Sequence, residues 1–148
     1  MIVVDANILI RAVLGRRVRS IIENYAENVE FCAPEIAFAE AARHLPKLMS
    51  KRGATAEDLE SVIDELAFLV YPIAADQYSS FESPARQRLR NRDQDDWPIL
   101  ATALITAAPL WTEDRDFFGT GVPTWTTDNI EIILRDLADA PAVPDLPN

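Results

Sequence analysis

One cysteine and one histidine in 148 residues leave several chemistries without material. Cys32 cannot form an intrachain disulfide by itself, so no disulfide framework holds this fold. His44 alone excludes a histidine-rich metal cage. No apolar run reaches the length of a membrane span. The opening Met1-Ile2-Val3-Val4 meets the charged Asp5 at once, unlike a secretory signal, and a soluble cytoplasmic protein is expected. Basic residues are outnumbered: 14 Lys and Arg stand against 24 Asp and Glu, a net charge of −10. That balance excludes a protein that coats nucleic acid through a generally basic surface. What remains is a globular composition, 49% hydrophobic and 26% charged, with enough apolar material for one core. One domain is expected over residues 1–138, followed by a loose tail over 139–148 marked by Pro141, Pro144 and Pro147.

The apolar spacing alternates between strand and helix. Ile2-Val3-Val4 is a β-branched run stopped by Asp5-Ala6-Asn7, after which Ile8, Leu9, Ala12 and Val13 recur at helical spacing up to Gly15. A second helix is expected over Arg17–Asn28 and a strand over Val29–Ala33. A third helix opens at Pro34-Glu35, and Pro46 should kink or split it. Thr55-Ala56-Glu57-Asp58 fits a capping box before the stripe Leu59, Val62, Ile63, Leu66 and Leu69. Val70–Ile73 reads as a strand, and Tyr78–Arg92 as a helix broken near Pro84. Asp95-Asp96-Trp97-Pro98 reads as the start of a buried helix. Leu110-Trp111 and Val122–Trp125 read as strands, and Ile130, Ile133, Leu134 and Leu137 mark a last helix. Strands alternating with helices predict an α/β fold with a mainly parallel central sheet flanked by helices. In such sheets ligands lie beyond the carboxyl ends of the strands, where Asp5 and Asp114 should meet.

Four acids stand where function would place them: Asp5 after the first strand, Glu40 on a helix, Asp96 at a helix start, and Asp114 after Trp111-Thr112. Any one of them alone reads as a turn, cap or surface charge. Together they raise an electrostatic problem, since two carboxylates about 4 Å apart repel by roughly 4 kcal/mol at an effective dielectric near 20. A divalent cation removes that repulsion. An all-carboxylate set suits Mg²⁺ or Mn²⁺, which can activate water and steady charge on a phosphodiester.

Val3-Val4-Asp5-Ala6-Asn7-Ile8-Leu9 resembles the opening motif of the PIN-domain nucleases, the group that includes the VapC toxins of bacterial toxin–antitoxin pairs. Asp96-Trp97-Pro98-Ile99-Leu100-Ala101-Thr102-Ala103 resembles the family's second signature. Leu110-Trp111-Thr112-Glu113-Asp114-Arg115-Asp116-Phe117 resembles its third, and Ala39-Glu40-Ala41 its mid-chain glutamate. The ordered set spans nearly the whole domain. The resemblance implies a PIN fold and a Mg²⁺- or Mn²⁺-dependent ribonuclease, with an antitoxin protein and a homodimer among its partners. Asp5, Glu40, Asp96 and Asp114 match the family's metal-binding catalytic acids, and Asp116 a further acid in some members. Thr112 matches a hydroxyl that orients ligands, and Asn7 is a candidate supporting partner. Asp95 and Asp96 compete for one position, and the spacing to Ala101 and Ala103 favours Asp96.

All but two of the 14 basic residues fall in three short clusters, each bordering one of these acids. Arg11, Arg43, Lys47 and Arg92 are the candidates for RNA contact. If the helix continues past Pro46, then Glu40, Arg43, Lys47 and Lys51 share one stripe that could carry a phosphate backbone. Pairing of these basic residues with nearby acids, or with an acidic partner, explains the clusters nearly as well. Cys32 reads as a buried hydrophobe, His44 as a surface residue, and the tryptophans as packing. Other aspartate enzymes fit less well. A haloacid-dehalogenase-type phosphatase needs an Asp at position 7, where Asn7 stands, and a receiver domain needs a late lysine, whereas the last here is Lys51. A PIN-like module that binds RNA or protein without cutting remains the alternative to the nuclease.

Overall fold

The computed structural model describes residues 1–53 and 55–140; of the tail expected over 139–148, the segment 141–148 lies outside the described residues. Ile2–Val4 (β1) is buried throughout, and Asp5 ends it by capping the helix Ala6–Leu14 (α1). Gly15 separates α1 from Arg16–Tyr25 (α2), which turns Val18, Ile21 and Ile22 inward. Phe31–Pro34 (β2) runs straight into Glu35–Ser50 (α3).

Of the kink or split expected at Pro46, the split does not occur: α3 continues through the proline. Ala37, Ala41, Leu45 and Met49 form one buried stripe on both sides of the proline. An interior proline costs about 3 kcal/mol. Burying Leu45 and Met49 offsets that, at about 1.5–3 kcal/mol each. Thr55 caps Ala56–Leu69 (α4) through the expected capping box with Asp58, whose carboxylate accepts the Thr55 amide at 2.8 Å.

Val70–Ile73 (β3) is followed by Ala75–Tyr78 (α5), a 3-10 turn at Ser79–Phe81, and Glu82–Arg88 (α6). The helix expected over Tyr78–Arg92 is thus shorter, and its break precedes Pro84. That proline sits in the first turn of α6, where no amide hydrogen is needed, and the 3-10 turn takes up the bend. A 3-10 turn at Gln94–Asp96 leads into Trp97–Thr106 (α7). Leu110–Trp111 (β4), a 3-10 turn at Arg115–Phe117, Thr124–Trp125 (β5) and Ile130–Asp139 (α8) complete the described chain.

The five strands are all parallel, in the order β3-β2-β1-β4-β5. The chain builds outward from β1 to β2 and β3, then returns to lay β4 and β5 on the other side. The strand order therefore reverses between β1 and β4, the switch point where ligands bind in such sheets. Val4 pairs with Trp111 there, so Asp5 and Thr112 leave neighbouring strands roughly 5 Å apart. Below them, Trp111 is fully buried against Phe31, with ring centroids 6.2 Å apart. The helix α7 buries Pro98 through Ala103 without a polar face.

Candidate active site

Asp5 is 5% exposed, and both its oxygens are engaged. Oδ1 accepts the Ile8 amide at 2.8 Å, which caps α1, and Oδ2 accepts the Thr112 hydroxyl. That hydroxyl oxygen in turn accepts the Asp114 amide at 2.9 Å. Asp114 Oδ1 accepts the Asp116 amide at 2.9 Å, and Asp116 Oδ2 accepts the Asp93 amide at 3.2 Å. Short polar side chains commonly satisfy backbone amides two or three residues on, and these do so in series. The series ties the end of β1, the loop after β4 and the approach to α7 into one unit.

Electrostatics joins the acids further. Burial pushes the Asp5 carboxyl up to about 6, against the lowering hydrogen bonds from Thr112 and Ile8, and the charges of Asp114 and Glu40 add to the rise. Burial likewise pushes Asp96 up to about 7, reinforced by Asp114, Asp93, Asp5 and Glu40. Asp96 is half-buried at the start of α7, whereas its neighbour Asp95 is exposed. The charges of Asp5, Glu40, Asp96 and Asp114 therefore act on one another across four separate segments. Among the described residues no lysine or arginine forms an ion pair with any of these four.

An oxygen-only set with uncompensated charge has the donor chemistry of a hard divalent cation site. It is an open set, however. No three acidic, histidine or cysteine side chains among the described residues are grouped closely enough to hold an ion as they stand. The acids are gathered to electrostatic range rather than closed into a cage.

The remaining candidates divide by environment. Asn7 is exposed in the first turn of α1 and makes no side-chain hydrogen bond among the described residues. Glu40, Arg43 and Lys47 are exposed on α3, along the face opposite its buried stripe. Arg11, Arg43 and Lys47 have no ion-pair partner among the described residues. Arg92 is different: it is half-buried and donates to the Asp116 carbonyl at 2.8 Å. One turn earlier, Arg88 donates to the Thr120 carbonyl at 2.8 Å.

Both arginines grip the loop that carries Asp114 and Asp116, and the loop's glycines make room for them. At Gly121 (φ +89°) an added Cβ would meet the Arg88 guanidinium at 2.7 Å, and at Gly119 (φ +83°) it would meet that of Arg92 at 3.2 Å. The roles of Arg88 and Asp93 escaped sequence reasoning. The paired glycines flanking Thr120 were a signal for a tight turn, but nothing local says that arginines about 30 residues earlier fill the space beside it. Cys32 is buried, which pushes its thiol up to about 12, and His44 is exposed. Trp97 stacks against Tyr78 with ring centroids 5.6 Å apart and lies under the Arg86 guanidinium at 5.4 Å.

Several solved structures share this fold. A toxin–antitoxin complex from Klebsiella pneumoniae matches with a TM-score of 0.65 and 21% identity, over 86% of this chain and 98% of that one. VapBC2 from Rickettsia felis, solved bound to a DNA fragment from its promoter, gives a TM-score of 0.66 at 18% identity, over 85% of this chain and 98% of that one. FitAcB from Neisseria gonorrhoeae gives 0.62 at 19% identity, with coverage of 86% and 98%. No curated protein sequence matches the chain significantly. The sequence pattern that defines the PIN domain runs through residues 3–135, from the first strand to the last helix, and by that match the chain belongs to the PIN domain family.

Proposed function

We propose that the protein is a metal-dependent endoribonuclease that hydrolyses RNA phosphodiester bonds, working in the cytoplasm as the toxin of a toxin–antitoxin pair. One observation supports this reading: in a PIN domain, the Thr112 hydroxyl ties the Asp5 carboxylate to the Asp114 backbone at the switch point of the sheet, with Asp96 and Glu40 within electrostatic range. That one structural relative is a toxin–antitoxin complex supports the biological setting and an antitoxin partner. A homodimer belongs to the same reading, with the exposed Phe68 near the end of α4 and Tyr71 on the edge strand β3 as its apolar surface.

Asp5, Glu40, Asp96 and Asp114 would hold Mg²⁺ or Mn²⁺, with Asp116 in support. The ion would polarise the phosphodiester and activate water for in-line attack. The chain's own residues prepare that event. Thr112 fixes the Asp5 carboxylate and the Asp114 backbone through one hydroxyl, so the two acids keep a common reference. Asp116 orders the Asp114 turn, and Arg92 holds Asp116 by its carbonyl. Arg11, Arg43 and Lys47 present free cations for RNA phosphates, while Arg92 acts through the loop it grips.

The test is cleavage of single-stranded RNA by the whole chain with Mn²⁺, with Mg²⁺ and with EDTA, alongside Asp5→Asn. Cleavage that needs the metal and falls at least a hundredfold in Asp5→Asn is expected. The openness of the acid set favours a second reading, a PIN-like module that binds RNA or protein without cutting. Tight RNA binding with no cleavage under any of these conditions would select it.

A further inference from the structure

A second feature lies on the same edge of the sheet. A pocket of about 340 Å³ is lined by Arg11 of α1, Arg17 of α2 and Arg52 just past α3, together with Glu113, Thr127 and Asp128 from the ends of β4 and β5. Glu113 sits between Thr112 and Asp114, so the pocket shares the loop after β4 with the acid cluster.

Three arginines from separate segments thus line one hollow, and bonds to the protein fix the guanidiniums of two of them. Arg17 pairs with Asp128 at 2.9 Å and donates to the Thr127 carbonyl at 3.4 Å, while Arg52 donates to the Leu14 carbonyl. Arg11 has no ion-pair partner among the described residues. Both acids in the wall are already engaged, Asp128 by Arg17 and Glu113 by the Thr127 amide at 2.7 Å. The start of α2 faces the same hollow. Its cap, Gly15, offers no side-chain acceptor to the first amides, which adds partial positive charge.

Guanidinium forks match the tetrahedral oxygens of phosphate in geometry and charge. In a molecule of net charge −10, a hollow where arginines outnumber acids is a specific exception. We propose that this pocket binds a phosphate group, and that its occupant in function is a backbone phosphate of the RNA strand beside the one presented to the acids. The RNA assignment rests on the ribonuclease reading; the anion site does not.

Titrating the whole chain with inorganic phosphate and following ¹H–¹⁵N spectra tests the pocket directly. The amides of Gly15, Arg17 and Val18 and the three arginine side chains should shift. Arg52→Ala should weaken that response about tenfold. Arg135→Ala, the same charge change on α8 outside the pocket, should not. Bound to Asp5→Asn, which leaves RNA uncut, a single-stranded RNA oligonucleotide should lose about tenfold in affinity on adding Arg52→Ala. Its salt slope should become shallower by about 0.7 for the lost phosphate contact.

Phosphate shifts scattered over the surface, or an equal loss in Arg135→Ala, would overturn the pocket. Phosphate binding as described with RNA affinity untouched by Arg52→Ala would overturn the RNA assignment, as would an acidic peptide that displaces phosphate where RNA cannot. Absence of RNA cleavage by the wild type, with the phosphate shifts intact, would sink the ribonuclease reading and leave the anion site standing.

Discussion

Asp5 holds two jobs that pull in opposite directions. As the cap of α1 and the acceptor of the Thr112 hydroxyl it belongs to the fold, yet its burial makes its charge expensive. The folded-state values of about 6 for Asp5 and about 7 for Asp96 lie above the unfolded value of 3.8. The fold therefore binds protons that the unfolded chain has already released. Their stabilising contribution is full below about pH 4 and is lost as the pH rises through 6 to 7.

For Asp5, a shift of this size corresponds to at most about 3 kcal/mol. In EDTA, the melting temperature contributed by these two groups should fall across that window. Asp5→Asn keeps a good helix cap while removing the buried charge, so it should melt a few degrees above wild type near pH 8 in EDTA. Added Mn²⁺ should raise the wild-type melting temperature and leave Asp5→Asn unmoved. Thermal melts across the pH range check both statements, and a variant that melts below wild type throughout would contradict the assigned strain.

At the scale of elements, the site is a product of how short polar loops are pinned between strands and helices. The strand β1, the cap at Asp5, the capping box at Thr55, the buried α7 and the edge strand β5 all follow from local patterns that the sequence displays openly. A β-branched run stopped by Asp5 marks the end of a strand, and Pro98 suits a first helical turn. The misread elements were those decided by tertiary packing. Pro46 stays inside α3 because Leu45 and Met49 reward the continuous helix, and the bend near Pro84 moves upstream into the 3-10 turn.

The candidate acids were legible because each follows a recognisable boundary. Asp93 and Arg88 were not, because their partners lie more than 20 residues away and carry no local pattern. The grip of α6 and its following turn on the loop after β4 leads to a prediction at this scale. Arg92→Ala should weaken Mn²⁺ binding about tenfold by freeing the Asp114–Asp116 turn. Arg90→Ala, an exposed neighbour outside this network, should leave it unchanged. Calorimetric titration of both variants checks it, and equal affinity in all three proteins would show that the loop orders itself.

As a whole, the molecule is an acidic body whose candidate acids meet at one edge of the sheet. The strand order places the reversal between β1 and β4, and the carboxyl ends of those strands carry Asp5 and the Thr112–Asp116 loop. Against that net charge, Arg11 on α1, Arg43 and Lys47 on α3, which have no ion-pair partner among the described residues, and the arginine-lined hollow beside Glu113 are local basic exceptions. The central proposal is that these acids bind a divalent cation. Mn²⁺ binding to the wild type, Asp5→Asn, Asp96→Asn and Asp95→Asn, measured by calorimetry in one buffer, tests it most directly. The wild type and Asp95→Asn should bind alike, and Asp5→Asn and Asp96→Asn should each lose at least tenfold in affinity; a wild type that binds Mn²⁺ no better than Asp5→Asn would contradict the account.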